Sequence, residues 1–260
     1  MALPLLFHRR TGEAGNPPLV ILHGLLGASR NWQTVARELA PRFDVYSLDL
    51  RNHGLSFRDA EVGYPALAGD VLAWAEANGL GRIHLLGHSM GGKTAMRFAA
   101  DHPDRLLSMT VVDIAPRRYG YHHRTEFAAM RALDPAALAD RRTADEALAA
   151  TVPDWAMRQF LLTNLSRRDD GTFAWDVNHL ALEAGLSVIC ESPLAPDERY
   201  DGPTTFILGG KSDFVRPEDL PAIRAHFPKA VLAVLPEAGH NPHIDSRAAF
   251  VAKLVETLPH

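Results

Sequence analysis

The chain has 260 residues, is 47% hydrophobic and 22% charged, and carries a net charge of −4. This suits one α/β domain, or one with an insertion, able to bury a large core; the weak charge argues against nucleic-acid and membrane partners, and no apolar run reaches spanning length. Cys190 is the single cysteine, which excludes an internal disulfide and is compatible with a reducing, cytoplasmic setting.

The first apolar segment, Leu3-Pro4-Leu5-Leu6-Phe7, is too short for a signal peptide and lacks a basic leader. Residues 19–22 read as a buried strand that runs into His23-Gly24-Leu25-Leu26-Gly27. Residues 31–39 have helical spacing, and 43–48 form the next strand. It leads into Asp49-Leu50-Arg51-Asn52-His53-Gly54, read as a structural turn on the rim of a site, with His53 not taken as a base. Residues 65–77 read as an amphipathic helix ended by Asn78-Gly79. A strand at 82–86 enters the Gly-rich turn at 87–91, a helix follows over 94–100, and Pro103 closes it. Residues 106–112 are another strand.

The segment 116–202 breaks this rhythm. It is rich in Ala, Arg and Asp, has helical stretches near 125–133, 144–150 and 154–165, and contains no convincing buried parallel strand. Strands then return at 204–208 and 230–235, with helices at 217–227 and 246–258. Regular β-α alternation predicts a mostly parallel, doubly wound sheet. Its core would comprise 1–115 and 203–260, with 116–202 inserted as a helical cap over the site.

Residues 85–94 satisfy two catalytic patterns at once. Gly87-His88-Ser89-Met90-Gly91 is G-x-S-x-G, a nucleophile elbow. Residues 87–94 are also G-x-x-x-x-G-K-T, a phosphate-binding loop with Lys93 and Thr94 as nucleotide and metal ligands. An elbow needs a cramped backbone at Ser89 and minimal bulk two residues to either side. It aims the N–H of Met90 at the space where an oxyanion develops, and His23-Gly24 would present the N–H of Leu25 as the second donor. The phosphate-loop reading leaves His23-Gly24 unexplained and puts two strands before its loop. Lys93 and Thr94 are therefore read as ordinary first-turn residues of the helix.

Downstream, Gly209-Gly210-Lys211-Ser212-Asp213 follows one strand and Gly239-His240-Asn241-Pro242-His243 follows the last. The order Ser89, Asp213, His240 is that of a nucleophile, acid and base on this architecture. Asp113 also ends a strand and stands as the alternative acid. His243 is the local competitor of His240, read as a wall or loop residue. Phe127, Met130, Trp155 and Phe160 are candidate apolar walls from the cap, although each also fits the cap's own core.

With these residues assembled, the chain resembles the α/β-hydrolase superfamily over nearly its full length. Asp49-Leu50-Arg51-Asn52-His53-Gly54, Gly87 to Lys93 and Val112-Asp113-Ile114-Ala115-Pro116 together resemble the bacterial YbfF-type esterases and their mitochondrial ABHD11-like relatives. The resemblance implies a serine hydrolase acting on carboxylic esters or acyl thioesters, with no metal or organic cofactor; a small-molecule ester is the expected substrate, and a monomer or homodimer the expected state. In YbfF-type members the acid is assigned to the position matching Asp113, whereas Asp213 matches the wider superfamily pattern; Asp213 is placed ahead here. Carbon–carbon bond hydrolysis and perhydrolysis share the same triad. A non-catalytic small-ligand binding protein and a nucleotide binder are the alternatives from other classes.

Overall fold

A computed structural model describes residues 4–258. Leu3, at the head of the first apolar segment, and the extreme ends of the expected core (1–3 and 259–260) lie outside the described residues. Nine strands are present among those residues: β1 (His8–Thr11), β2 (Pro18–Leu22), β3 (Asp44–Leu48), β4 (Ile83–His88), β5 (Leu106–Val112), β6 (Leu165–Arg167), β7 (Phe173–Trp175), β8 (Thr204–Gly209) and β9 (Ala230–Leu235). The helices are α1 (Gln33–Leu39), α2 (Tyr64–Ala77), α3 (Met90–Asp101), α4 (Arg124–Ala132), α5 (Arg141–Ala149), α6 (Trp155–Leu162), α7 (His179–Ala184), α8 (Leu186–Ile189), α9 (Leu220–His226), α10 (Pro242–Asp245) and α11 (Arg247–Thr257).

Seven strands form one sheet in the order β1-β3-β2-β4-β5-β8-β9. All neighbours are parallel except β1, which runs antiparallel to β3. Each parallel pair needs a crossover, and helices fill that role on both faces. The two faces can be followed residue by residue along β2: Val20 and Leu22 pack into one apolar cluster, Leu19 and Ile21 into the other. The first cluster holds Trp74 of α2 and Phe98 of α3; the second holds Val35 and Leu39 of α1 and Phe250 and Leu254 of α11. A run that is apolar at every position is what a strand covered on both faces requires.

Two elements carried no such signal. β1 reads His-Arg-Arg-Thr and is partly exposed along its length. It is an edge strand held by backbone pairing to β3, with Arg10 bound to Asp44 at 2.8 and 2.9 Å. The short antiparallel hairpin β6–β7 lies within 116–202, between β5 and β8, together with α4 to α8. The absence of a parallel strand in that insertion agrees with its sequence; the hairpin had no visible period in three-residue strands. No helix among the described residues is long and apolar enough to cross a membrane.

Candidate active site

The turn from β4 into α3 places Ser89 at φ 52°, ψ −117°, a region that a side-chain-bearing residue occupies only when its surroundings force it. The forcing groups are visible. Ser89 N–H donates to Val112 O at 3.1 Å, and Ser89 O accepts from Lys93 N–H at 3.0 Å. Strand and helix close so tightly that a Cβ on Gly87 would lie 2.1 Å from Gly91 O, and one on Gly91 would lie 2.5 Å from Leu22 O. Any larger residue at either position would push β4, α3 and β2 apart. The hydroxyl of Ser89 is left half-buried, on the wall of a cavity.

This geometry also removes the phosphate-loop reading. The turn is filled by its own backbone, which leaves no cradle. Thr94 Oγ1 donates back to Met90 O at 3.0 Å, and Lys93 is directed to the insertion.

The loop after β2 is built to present one N–H. Gly27 N–H donates to Gly24 O at 2.9 Å, and Leu26 N–H to His53 Nε2 at 3.2 Å. The Leu25 N–H has no hydrogen-bond partner among the described residues, and Leu25 lines the same cavity as Ser89. Met90 is the first residue of α3, where an N–H has no intrahelical acceptor. The two residues foreseen as backbone donors for an oxyanion therefore line the same cavity as Ser89.

Sequence reasoning gave the Asp49–Gly54 segment only a structural turn. The structure shows what it holds. His53 accepts from Leu26 N–H and donates through Nδ1 to Arg51 O at 2.9 Å; His23 accepts from Leu50 N–H at 3.0 Å and donates through Nδ1 to Gly24 O at 2.8 Å. Each ring must be neutral to accept a backbone N–H. Burial pushes both below the usual histidine value, His53 to about 3. Asp49 binds Ser29 N–H at 2.6 Å and Leu55 N–H at 2.9 Å. From the insertion, Asn164 donates to Leu26 O at 2.7 Å. The segment thus braces the Leu25 loop on several sides, and His53 has no ring nitrogen left to act as a base.

His240 follows β9 and stands beside the elbow. His88, the neighbour of Ser89, donates from Nε2 to His240 O at 2.8 Å, and the two rings are 4.8 Å apart. His240 Nδ1 is 2.8 Å from Asp113 Oδ2. With Nδ1 committed to the carboxylate, Nε2 is the nitrogen left for a nucleophile. No hydrogen bond among the described residues joins Ser89 Oγ to His240; such contacts commonly tighten only when substrate is bound. His243 lies behind this layer, buried and stacked on Trp32 at 4.1 Å. Burial lowers it to about 3, so it is a neutral wall.

The partner of His240 corrects the preference for Asp213. The Asp213 side chain is exposed, and its carbonyl accepts from Arg216 Nε at 3.2 Å. Gly210 and Lys211 donate to Leu235 O and Ala238 O, which lays the loop along the end of β9 and turns Asp213 outward. The residue that faces the site from this loop is Ser212, whose hydroxyl donates to Asp113 Oδ2 at 2.5 Å. Asp113 is fully buried, at φ 50°, and Gly209 N–H donates to its Oδ1 at 2.9 Å. Burying a carboxylate without such donors around it would be costly.

The cavity at Ser89 measures about 50 Å³. The core contributes Leu25, Met90, Ile114 and Phe214; the chain beyond β5 contributes Tyr119, His122, His123, Leu186, Ile189 and Cys190. None of the wall candidates from the sequence reaches it. Phe127 and Met130 are fully buried in the larger apolar cluster, Phe160 packs against the same cluster, and Trp155 is 65% exposed. Helical periodicity marks an apolar face but not which neighbour that face meets.

Lys93 also departs from its expected role as a plain first-turn residue. It is 2% exposed, and its Nζ donates to Glu191 O at 2.6 Å and Cys190 O at 3.2 Å, with the Tyr119 ring 4.8 Å away. It ties the C-terminal end of α8 to α3. Burial pulls the amine down to about 7 from 10.5. The unfolded chain therefore binds the extra proton between those values, so the cost of this burial is full below about pH 7 and is relieved as pH rises. Wild-type stability is expected to rise relative to Lys93→Met between pH 7 and 10.5, followed by thermal melts; a constant difference would contradict this.

The fold and this constellation define a class, and comparison with known proteins agrees. Residues 17–246 match the family described as alpha/beta hydrolase fold, and the chain belongs to that family. Within it the protein is an ABHD11/YbfF-like member. It is 38% identical to the mouse "sn-1-specific diacylglycerol lipase ABHD11" over 258 residues, covering 96% of this chain and 83% of the mouse protein. It is 33% identical to Escherichia coli "Esterase YbfF", covering 90% of this chain and 89% of that one. Among solved structures, a "Marine microorganism esterase" superposes with a TM-score of 0.95 at 35% identity, covering 98% of this chain and all of the other.

Proposed function

We propose that the protein hydrolyses small carboxylic esters or acyl thioesters through an acyl-enzyme on Ser89. The observation that carries this reading is the pairing of half-buried His240 with buried Asp113 beside a strained elbow serine. His240 Nε2 takes the Ser89 proton as Oγ attacks the substrate carbonyl carbon. The N–H groups of Leu25 and Met90 receive the developing oxyanion, each contributing on the order of 3 kcal/mol. Asp113 holds the ring and balances the imidazolium charge. His240 then protonates the leaving alcohol or thiol as its bond to the carbonyl carbon breaks. A water molecule, deprotonated by His240, attacks the acyl-enzyme and releases acid and free Ser89. Esterase-type relatives on both sides of the comparison support ester cleavage as the reaction. A single cysteine fits a cytoplasmic setting.

The insertion serves as a lid that sets acyl length. A cavity of about 50 Å³ beside Ser89 is small against a long acyl chain. A diacylglycerol, the substrate in the mouse relative's name, would need the insertion displaced. In a p-nitrophenyl ester series, kcat/KM is expected to be highest for acetate to butanoate and to fall at least about tenfold by octanoate, the cost of overfilling a packed site. A maximum at octanoate or longer would overturn the lid reading.

A further inference from the structure

The Leu25 N–H shares one planar peptide with the Gly24 carbonyl, and in a trans peptide the two point in opposite directions. Whatever holds Gly24 O therefore aims the Leu25 N–H. Gly24 O accepts from Gly27 N–H at 2.9 Å and from His23 Nδ1 at 2.8 Å. The Gly27 N–H in turn shares a peptide with Leu26 O, and Leu26 O accepts from Asn164 Nδ2 at 2.7 Å. Asn164, the Leu26–Gly27 peptide and the Gly24–Leu25 peptide thus form a head-to-tail chain of donors. It runs from the insertion to the cavity at Ser89.

Two features set the first link apart from simple packing. Leu26 is fully buried at φ 61°, a left-handed conformation that a leucine keeps only under constraint. His53 holds its N–H and Asn164 holds its carbonyl. Asn164 is itself fully buried, and its Oδ1 has no hydrogen-bond partner among the described residues. An unpaired buried oxygen is costly, and a residue kept only to fill this space would not need one. What the asparagine adds is the Nδ2 donor. Its main chain is fixed on both sides, with the N–H on Leu161 O at 2.9 Å and the carbonyl accepting from Asp176 N–H at 2.7 Å. The donor therefore stands on a rigid base beside the β6–β7 hairpin.

We propose that Asn164 is a positioning residue of the oxyanion hole, acting from the insertion through two peptide groups. Its bond to Leu26 O keeps the Leu26–Gly27 peptide turned so that Gly27 N–H meets Gly24 O. That contact keeps the Leu25 N–H aimed at the cavity. Each accepted bond also polarises the peptide that receives it, which strengthens the donor at the far end. The insertion then both walls the cavity and completes the group that stabilises the transition state. This rests on the acyl-enzyme reading above.

The test uses the full-length protein and the variants Asn164→Leu and Asn164→Ala, with p-nitrophenyl acetate as substrate and trifluoroacetone as reversible inhibitor. Ser89 Oγ adds to the ketone carbon while His240 takes the Ser89 proton, and the resulting hemiketal oxyanion occupies the same hole. Both variants are expected to lower kcat about tenfold, the scale of one hydrogen bond, with KM within about twofold. Ketone affinity should fall by the same factor as kcat, because both depend on the same donors. Melting curves recorded alongside confirm that the variants are folded. Wild-type kcat in either folded variant would overturn the proposal. So would a loss of kcat with ketone affinity unchanged, or a loss confined to KM, since a merely structural role moves these without weakening the oxyanion. A wild-type protein that neither turns over the ester nor binds the ketone would instead remove the acyl-enzyme reading itself.

Discussion

Ser89→Ala is expected to lower kcat for p-nitrophenyl acetate by about 10⁵- to 10⁶-fold, the scale on which a triad nucleophile matters. The fold should survive, because the substitution removes an oxygen with no hydrogen-bond partner among the described residues and keeps the Cβ that already occupies the strained turn. The melting temperature should therefore stay within a few degrees, as is usual when no buried contact is lost. The loss should appear in kcat with little change in KM, since the Ser89 oxygen acts in bond formation and the cavity walls persist. Turnover retained within about tenfold would show that another group attacks the ester.

The second large effect separates the two aspartates. Asp113→Asn is expected to lower kcat about 10⁴-fold, as expected when an amide replaces the group that orients the base. An amide at that site presents an N–H₂ to His240 Nδ1 or to Ser212, which demands the opposite tautomer or a lost bond. Asp213→Asn should leave kcat/KM within about twofold, because its carboxylate is exposed and sits at no site contact. The contrast is informative because the two residues follow neighbouring strands, β5 and β8. A reversed outcome would require the β8 loop to turn over in solution.

Most of the fold was legible because its signals are local. A run such as Leu19 to Leu22, apolar at every position, has one use in a chain of this size: a strand covered on both faces. The elbow was equally plain, since its two glycines answer a steric demand within five residues. The acid was not. Both Asp113 and Asp213 follow strands, and the choice depends on where each loop turns after leaving the sheet. Asp113 turns back at once through a positive φ; the β8 loop is held by Gly210 and Lys211 against Leu235 O and Ala238 O and presents Ser212 where Asp213 was expected. One position of register in a loop decides which side chain meets Asp113, and no period in the sequence reports it.

The same limit explains the cavity walls. Phe127 and Met130 carry the apolar signature of an inward face, and they are buried in the large apolar cluster rather than on the cavity wall. The residues that reach the site, Tyr119, His122 and Ile189 among them, come from helix ends and connecting loops. Lys93 belongs to the same group. Its motif suggested a phosphate ligand or an ordinary first-turn residue, and its observed contacts are to carbonyls about a hundred residues away.

The most direct test of the central claim is covalent. The native protein should be labelled by a fluorophosphonate with one adduct per chain, and peptide mass mapping should place that adduct on Ser89. Ser89→Ala should take up none. An adduct on a different residue, or ester turnover by a protein that resists labelling altogether, would contradict the acyl-enzyme on Ser89.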